Sequence, residues 1–169
     1  NYPYKGKGLT IQTIEEILTT FKQIKFNIDI KSTNPEAPKI LLKKLEELNA
    51  QNRVMVGSFH QKQIKRFRKI SEVPTSAGPF EVLNFLKSAK KNKPLIHDYH
   101  AIQVPEKLIS ISIVNEKTVK YAHENGIAVH VWTINEKEKM KSLLLLEVDG
   151  IFTDNPELLI SIEKEIGFI

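Results

Sequence analysis

A short alternation of apolar and polar residues carries an acid and a base that could bind a charged ligand. Residues 26–31 are Phe-Asn-Ile-Asp-Ile-Lys, so Asn27, Asp29 and Lys31 share one side of a predicted strand. If the apolar side packs against outer helices, these three side chains point into the interior of a sheet or barrel. Buried charges need partners, and two interpretations differ in what those partners are.

The first interpretation is structural: Asp29 and Lys31 form an ion pair that fills the interior. The second is functional: the carboxylate of Asp29 binds a divalent cation, and Lys31 holds a phosphate beside it, since hard cations prefer oxygen ligands. An acid and a lysine at the C-terminal end of a barrel strand favour the functional interpretation.

Two later predicted strands carry polar or aromatic residues near their ends. Trp132 is the only tryptophan and shares a face with His130 in the predicted strand 127–134. Its indole N–H needs a partner, which suits the wall of a pocket, whereas His130 lies early in the strand and suits a structural role. Asp154 follows the last predicted strand, and we expect it to cap the next helix.

Other reactive residue types occur without a supporting pattern. His97, Asp98 and His100 are close in sequence, but they fall in a predicted loop where nothing makes their side chains converge. No serine has the Gly-x-Ser-x-Gly context of a nucleophile elbow. The sequence therefore argues against a serine hydrolase and against residues 97–100 as a catalytic centre.

Short strands and longer amphipathic helices alternate along the chain and position these residues. This order favours a parallel sheet covered by helices. Six units could form an open doubly wound sheet, but no glycine-rich phosphate loop follows a strand, which argues against a dinucleotide-binding sheet. A TIM-type (β/α)8 barrel that lacks two of its units explains the number of units equally well. We interpret residues 1–169 as a single domain. Strands are predicted at 25–31, 54–59, 74–78, 101–104, 127–134 and 150–153, and helices at 13–21, 38–48, 61–70, 79–89, 116–124, 136–146 and 156–165.

The composition is that of a soluble globular protein, with 41% hydrophobic and 27% charged residues. No apolar run approaches the roughly 20 residues that span a bilayer, and no signal peptide is recognisable, so we expect a cytoplasmic protein. The net charge of +5 comes largely from basic residues on helix surfaces, including the run 62–69, and we predict no nucleic-acid partner. Without cysteine there is neither a disulfide nor a thiolate metal site.

Seven blocks of sequence resemble the glycerophosphodiester phosphodiesterases and occur in the order of that family. Each block alone is a weak signal, but seven in order across nearly the whole chain are specific. The blocks are residues 2–9 with 13–16, then 26–31, 56–59, 75–78, 103–105, 129–135 and 148–156.

The resemblance implies a TIM barrel that hydrolyses glycerophosphodiesters to glycerol 3-phosphate and an alcohol, with Mg²⁺ or Ca²⁺ as cofactor. Asp29 occupies the place of a metal-binding glutamate and is one methylene shorter, and Lys31 matches the lysine that neutralises phosphate charge. Trp132 matches an aromatic residue that lines the substrate pocket, with Phe59 and Gln103 as neighbours. We therefore predict Asp29 as metal ligand, Lys31 as catalytic residue, and the other three as substrate-binding residues.

The family's catalytic histidines lie in a His-Arg-Gly motif and a His-Asp motif, beside a Glu-x-Asp pair, and none of these occurs at the family's position in this sequence; the His97-Asp98 pair lies far from where the His-Asp motif belongs. We expect about six strand and helix units to be present and the first two barrel strands to be missing. A preceding segment or another chain would then complete the barrel, and these 169 residues alone would be inactive.

Two alternative functions remain open from the sequence. One is a non-catalytic binding module that keeps the barrel scaffold. The other is a related phosphodiesterase that acts on inositol or sphingolipid headgroups. For the glycerophosphodiester phosphodiesterase itself, the expected partner is a small-molecule glycerophosphodiester.

Overall fold

The computed structural model describes residues 6–108 and 111–167, in which strands and helices alternate as predicted. None of the helices in these ranges is long and apolar enough to cross a membrane. The strands are β1 (Phe26–Asp29), β2 (Val54–Gly57), β3 (Ala101–Pro105), β4 (Lys107–Leu108), β5 (Ile111–Ser112), β6 (Ala128–Trp132) and β7 (Gly150–Ile151). The α-helices are α1 (Ile14–Thr20), α2 (Ala37–Glu47), α3 (Gln61–Arg68), α4 (Pro79–Lys91), α5 (Glu116–Glu124), α6 (Lys137–Leu145) and α7 (Pro156–Glu165).

The parallel strands follow one another in space in the same order as in the chain. β1 pairs with β2, β3 with β6, and β6 with β7, all in parallel. Thr75 and Ser76 join these two groups, since Thr75 bridges to Val56 of β2 and Ser76 to Ala101 of β3, again in parallel. This two-residue connection is called the 75–76 link below. A TIM-type barrel has this sequential order, whereas a doubly wound sheet reverses its order at a switch point.

The two ends of this strand series are β1 and β7. Among the residues that the structure describes, no strand pairs with the outer edge of either one. The observed series is therefore an arc of parallel strands with helices between them.

The buried apolar residues form two clusters on either side of the 75–76 link. The first cluster joins β1 and β2 to helices α1, α2 and α3, with Val56 and Phe67 fully buried at its centre. The second cluster joins β3 and β6 to helices α4 to α7, where Phe85, Val131 and Ile162 are fully buried. Each cluster thus packs the helices of its own strands.

Two of the predicted strands are much shorter in the structure than in the prediction. The predicted strand 74–78 is reduced to the 75–76 link, and the predicted strand 150–153 to two residues. The antiparallel hairpin of β4 and β5 was not predicted, because two residues per strand give no period that could be recognised.

The N-cap of α7 is Asn155, so the prediction that Asp154 caps this helix is wrong. The side chain of Asn155 accepts a hydrogen bond from the backbone N–H of Leu158 at 3.1 Å. Pro156 occupies the first turn, where its missing N–H is not needed, and this places the cap one residue later than predicted. Asp154 instead accepts a hydrogen bond from the side-chain amide of Asn135 at 2.8 Å.

Arg68, the last residue of α3, holds the 75–76 link in place. Its Nε donates to the Thr75 hydroxyl at 2.7 Å and its Nη2 to the Ser76 carbonyl at 2.9 Å. The same guanidinium forms two hydrogen bonds to the carboxylate of Glu81 in α4, at 2.7 and 2.9 Å, and one to Asp98 at 2.6 Å. Burial alone would raise the pKa of Glu81, but the hydrogen bonds from Arg68 hold that pKa below its usual value.

Replacing Arg68 with methionine should destabilise the chain strongly. The side chains of Arg68 and Glu81 are only 8% and 17% exposed, so the substitution leaves a buried carboxylate without its cation, which costs about 3–5 kcal/mol. The matched control is Lys43→Met on α2, because Lys43 is 74% exposed in its pair with Glu47 and should contribute little. Urea unfolding monitored by circular dichroism measures both; equal losses would contradict this role of Arg68.

Candidate functional site

The C-terminal ends of the parallel strands surround a cavity of about 640 Å³. Asp29 ends β1, Phe59 follows β2, Gln103 belongs to β3 and Trp132 ends β6; all four line this cavity, together with Lys31. The structure therefore brings together the five residues that were predicted to form the site. The volume lies within the range of about 300–1,000 Å³ that is typical of small-molecule pockets.

Asp29 has one paired and one unpaired carboxylate oxygen. Its Oδ2 accepts a hydrogen bond from Lys31 Nζ at 2.8 Å. Its Oδ1 is buried and has no hydrogen-bond partner in the described part of the chain. The Lys31 side chain is 82% exposed, whereas that of Asp29 is 25% exposed. Asp29 and Lys31 do form an ion pair, but because Lys31 is so exposed the pair does not fill the interior, and it leaves a buried oxygen that still needs a donor or a cation.

A hydrogen-bonded polar layer lies two residues back along the strands from Asp29 and Trp132. Gln103 Nε2 donates to Asn27 Oδ1 at 2.7 Å and lies 3.2 Å from His130 Nδ1. These contacts join β1, β3 and β6 across the interior. The prediction that the polar side of β1 faces inward is confirmed, and His130 has the structural environment that was expected of it.

Aromatic rings form one wall of the cavity. The rings of Phe59 and Trp132 meet edge to face, with their centroids 5.8 Å apart and an interplanar angle of 75°. Phe59 is 65% exposed, which places it at the rim. At Gly57 on the neighbouring strand, an added Cβ would lie 2.8 Å from the Ser76 hydroxyl, so any side chain there would force the Ser76 hydroxyl to move.

Residues 97–100 were not predicted as a site, and in the structure His97 and Asp98 contact different partners. His97 lies 2.9 Å from the Tyr99 carbonyl oxygen through Nδ1 and 3.2 Å from that of Asn125 through Nε2. Asp98 binds Arg68. These side chains therefore have separate structural partners.

The prediction missed the part of the cavity that α4 forms. Val82, Leu83 and Leu86 line it, and so does Ile113 after the β4–β5 hairpin. The available signal was the spacing of these α4 residues on one helix face. This spacing is also that of an ordinary helix face packed on a core, and only the three-dimensional structure shows that this face of α4 borders a cavity.

Asp29 offers one oxygen ligand for a divalent cation, but the described residues that line the cavity supply no second carboxylate and no histidine. The unpaired, buried Oδ1 is the kind of hard oxygen ligand that Mg²⁺ and Ca²⁺ prefer. Asp29 is the only carboxylate among the described residues that line the cavity, and no histidine lines it. In the described ranges, no group of three or more His, Cys, Asp or Glu side chains could hold a metal ion.

This arc of parallel strands and helices belongs to the TIM-barrel-like α/β class, and comparison with known proteins identifies the family. The family model described as the glycerophosphoryl diester phosphodiesterase family matches residues 1–158. The chain belongs to this family.

The relatives and solved structures agree with this assignment. A Mycobacterium tuberculosis protein named Probable glycerophosphodiester phosphodiesterase 2 is 32% identical over 161 residues, which are 91% of this chain and 60% of that protein. A glycerophosphodiester phosphodiesterase of Bacillus altitudinis is 27% identical, over 96% of this chain and 67% of its own length. This chain thus spans about three-fifths to two-thirds of the length of these relatives.

The fold is that of solved members of the family. The crystal structure of a glycerophosphoryl diester phosphodiesterase domain from Mycobacterium tuberculosis superposes with a TM-score of 0.79 at 12% identity, covering 98% of this chain and 67% of the domain chain. Together with the sequential parallel strands, this similarity shows a TIM-barrel-like α/β fold.

Acid should destabilise the polar layer through His130. Burial lowers the pKa of His130 below its usual value of about 6.5. The unfolded chain therefore binds this proton more readily than the folded chain. The contribution of neutral His130 to the free energy of unfolding is therefore fully present above about pH 6.5. It is lost as the pH falls from there towards the folded-state pKa, by at most about 1.4 kcal/mol per pH unit.

The variant His130→Gln keeps an acceptor for Gln103 but does not titrate. The free energy of unfolding, measured by urea denaturation between pH 7.5 and 5 on the wild type and this variant, should fall more steeply for the wild type. Identical pH profiles would show that His130 is not the responsible group.

Proposed function

We propose that this chain carries part of the active site of a metal-dependent hydrolase that cleaves glycerophosphodiesters to glycerol 3-phosphate and an alcohol. The observation that carries the proposal is the unpaired, buried Oδ1 of Asp29 beside Lys31, in a cavity at the C-terminal ends of the strands. Family membership and the names of the relatives support the same reaction.

Asp29 would bind the divalent cation, Mg²⁺ or Ca²⁺, through Oδ1. Its other oxygen remains bound to Lys31, which fixes the orientation of the carboxylate. A bound cation would supply Lewis-acid polarisation of the phosphodiester. Further metal ligands must come from water, from the substrate, or from residues beyond those that line the cavity.

Lys31 would neutralise the charge that develops on the phosphate oxygens. The Lys31 ammonium group lines the cavity and is held by Asp29, so it would be positioned beside a phosphate bound there. Trp132 and Phe59 would form the aromatic wall for the substrate, and Gln103, held by Asn27, would offer polar atoms from the strand face.

Proton transfer needs groups that this cavity does not contain. Hydrolysis requires a base for the attacking water and an acid for the leaving oxygen, and no histidine lines the cavity within the described residues. We propose that these groups come from residues outside this sequence, which would also pair with the free edges of β1 and β7 and complete a single-domain barrel.

A second candidate function is a non-catalytic binding module on the same scaffold. The missing proton-transfer groups favour it. The unpaired Oδ1 favours the enzyme, because a module without metal chemistry gains nothing from a buried carboxylate oxygen that lacks a partner. Inositol or sphingolipid headgroups remain alternative substrates.

Substitutions at Asp29 and Lys31 should abolish most turnover in the natural protein that contains this sequence. With Mg²⁺ or Ca²⁺ present, Asp29→Asn and Lys31→Met should each lower the release of glycerol 3-phosphate from glycerophosphocholine by about 100-fold or more. Lys43→Met is the control, because Lys43 is an exposed lysine of α2 outside the cavity.

A calorimetric titration with Mg²⁺ and Ca²⁺ separates the two roles. Asp29→Asn should weaken metal binding about 10- to 100-fold or more, whereas Lys31→Met should leave it intact. Metal binding without turnover in the natural protein would favour the binding module, and unchanged turnover in both variants would contradict the proposed roles.

The 169 residues alone should not hydrolyse glycerophosphocholine at any metal concentration, because in the described part of the chain no histidine lines the cavity to act as acid or base. The measurement is enzymatic detection of glycerol 3-phosphate with a purified chain of verified mass. Turnover by this chain would show that its own residues supply the acid and the base.

A further inference from the structure

The segment that carries Lys31 continues past the end of the paired strands. The ladder between β1 and β2 ends at Asp29 and Gly57, and the next backbone hydrogen bond runs from the Ile30 N–H to the Gly57 carbonyl at 2.9 Å. Residues 31–34 follow without regular secondary structure. Asp29 is therefore positioned by the sheet, whereas Lys31 needs another support.

Gln63 of α3 holds the end of this segment through its side-chain amide. Its Nε2 donates to the Ser32 carbonyl at 2.7 Å and to the Asn34 carbonyl at 2.6 Å. Its Oε1 accepts a hydrogen bond from Arg66 Nη1 at 2.8 Å. The contact with Arg66 fixes which way the amide points, so that both N–H groups face the segment after β1.

The position of Gln63 is uncommon for a polar side chain. It is only 1% exposed and shares the buried face of α3 with Ile64 and Phe67. Burying an amide costs free energy unless its hydrogen-bonding groups have partners, and an apolar residue in this place would bury surface without that cost. The glutamine is therefore explained by the backbone that it binds rather than by the packing of α3.

Two residues just before Gln63 complete the same set of contacts. The Ser58 hydroxyl donates to the Ile30 carbonyl at 2.6 Å, and His60 Nε2 lies 3.1 Å from the Lys31 carbonyl oxygen. These two carbonyls flank the Cα atom of Lys31. Side chains of one short stretch of chain thus hold the backbone on both sides of the lysine and beyond it.

We infer that Gln63 is a positioning residue for Lys31: it holds the backbone after β1 so that the lysine reaches a phosphate in the cavity. The inference rests on the hydrolase proposed above and adds to it a residue that does not line the cavity. The Lys31 side chain is 82% exposed, so few neighbours restrict it and its reach depends on where its backbone lies. A misplacement of about 1 Å can lower a rate by about 100-fold.

Replacing Gln63 with methionine removes both donors and keeps a side chain of similar length. In the natural protein that contains this sequence, Gln63→Met should lower kcat for glycerophosphocholine by about 10- to 100-fold. The affinity for Mg²⁺ or Ca²⁺, measured by calorimetry, should stay unchanged, because the sheet ladder positions Asp29.

A double-mutant cycle with Lys31→Met distinguishes positioning from a general loss of stability. If Gln63 acts through Lys31, adding Gln63→Met to Lys31→Met should lower kcat no further, whereas a general loss would appear in both backgrounds. The matched control is Ile64→Val on the same buried face of α3. It removes buried apolar atoms but no hydrogen bond to the segment after β1, and it should leave kcat unchanged.

His60→Leu provides a second variant in case Gln63→Met does not fold, which thermal unfolding determines. His60 is exposed, so its replacement leaves the core intact while it removes the partner of the Lys31 carbonyl. Loss of this one hydrogen bond should lower kcat by about two- to tenfold, and again only while Lys31 is present.

Equal effects of Gln63→Met with and without Lys31 would overturn the inference, and so would a loss in Ile64→Val as large as that in Gln63→Met. The hydrolase proposal is judged separately, by whether the wild-type natural protein hydrolyses glycerophosphocholine. Without turnover, the same cycle is measured on the affinity for glycerol 3-phosphate, which Gln63→Met should weaken only while Lys31 is present. If Lys31→Met alters neither turnover nor this affinity, Lys31 holds no phosphate and the inference is wrong.

Discussion

The arc of strands depends on the hydrogen bonds and the ion pair that the buried guanidinium of Arg68 forms. The arc has only two residues, Thr75 and Ser76, where a regular strand would connect β2 to β3. Two residues provide little parallel hydrogen bonding, and Arg68 compensates by binding the Thr75 hydroxyl, the Ser76 carbonyl and Glu81 of α4 at the same time. The link is therefore held by a charged group from α3 as much as by the sheet.

The site follows from this arc because parallel strands end on the same side. Asp29, Gln103 and Trp132 belong to three different strands, and the polar layer of Asn27, Gln103 and His130 fixes the distance between them. Polar residues in a barrel interior are acceptable where they hydrogen-bond to one another. Asp29 Oδ1 is the exception among them, since it has no such partner in the described residues.

The sequence predicted the order of the helices and parallel strands well, because this order depends on local patterns. Alternation in residues 26–31 showed which side of β1 faces inward, and α5 and α7 begin and end at the predicted residues. The roles assigned to Asp29, Lys31, Trp132, Phe59 and Gln103 stay predictions, although the structure places all five around one cavity.

Features that arise from contacts between distant segments could not be predicted. The role of Arg68 depends on Glu81 and Ser76, which are brought near it only by the packing of α3 and α4. The same applies to Leu83, since an apolar residue on an amphipathic helix gives no sign of whether it borders a core or a cavity. The N-cap of α7 was misplaced by one residue because Asp154 and Asn155 are both good caps, and Pro156 decides between them.

The two apolar clusters give the molecule two separately packed halves, and the cavity lies across their boundary. Asp29 and Lys31 belong to the half built on β1 and β2, and Trp132 to the half built on β3 and β6. Proteins open locally along such boundaries at a lower free energy than that of global unfolding. A ligand that contacts both halves works against this opening, because it binds only the closed arrangement. A ligand that binds both halves should therefore also raise the free energy needed to separate them.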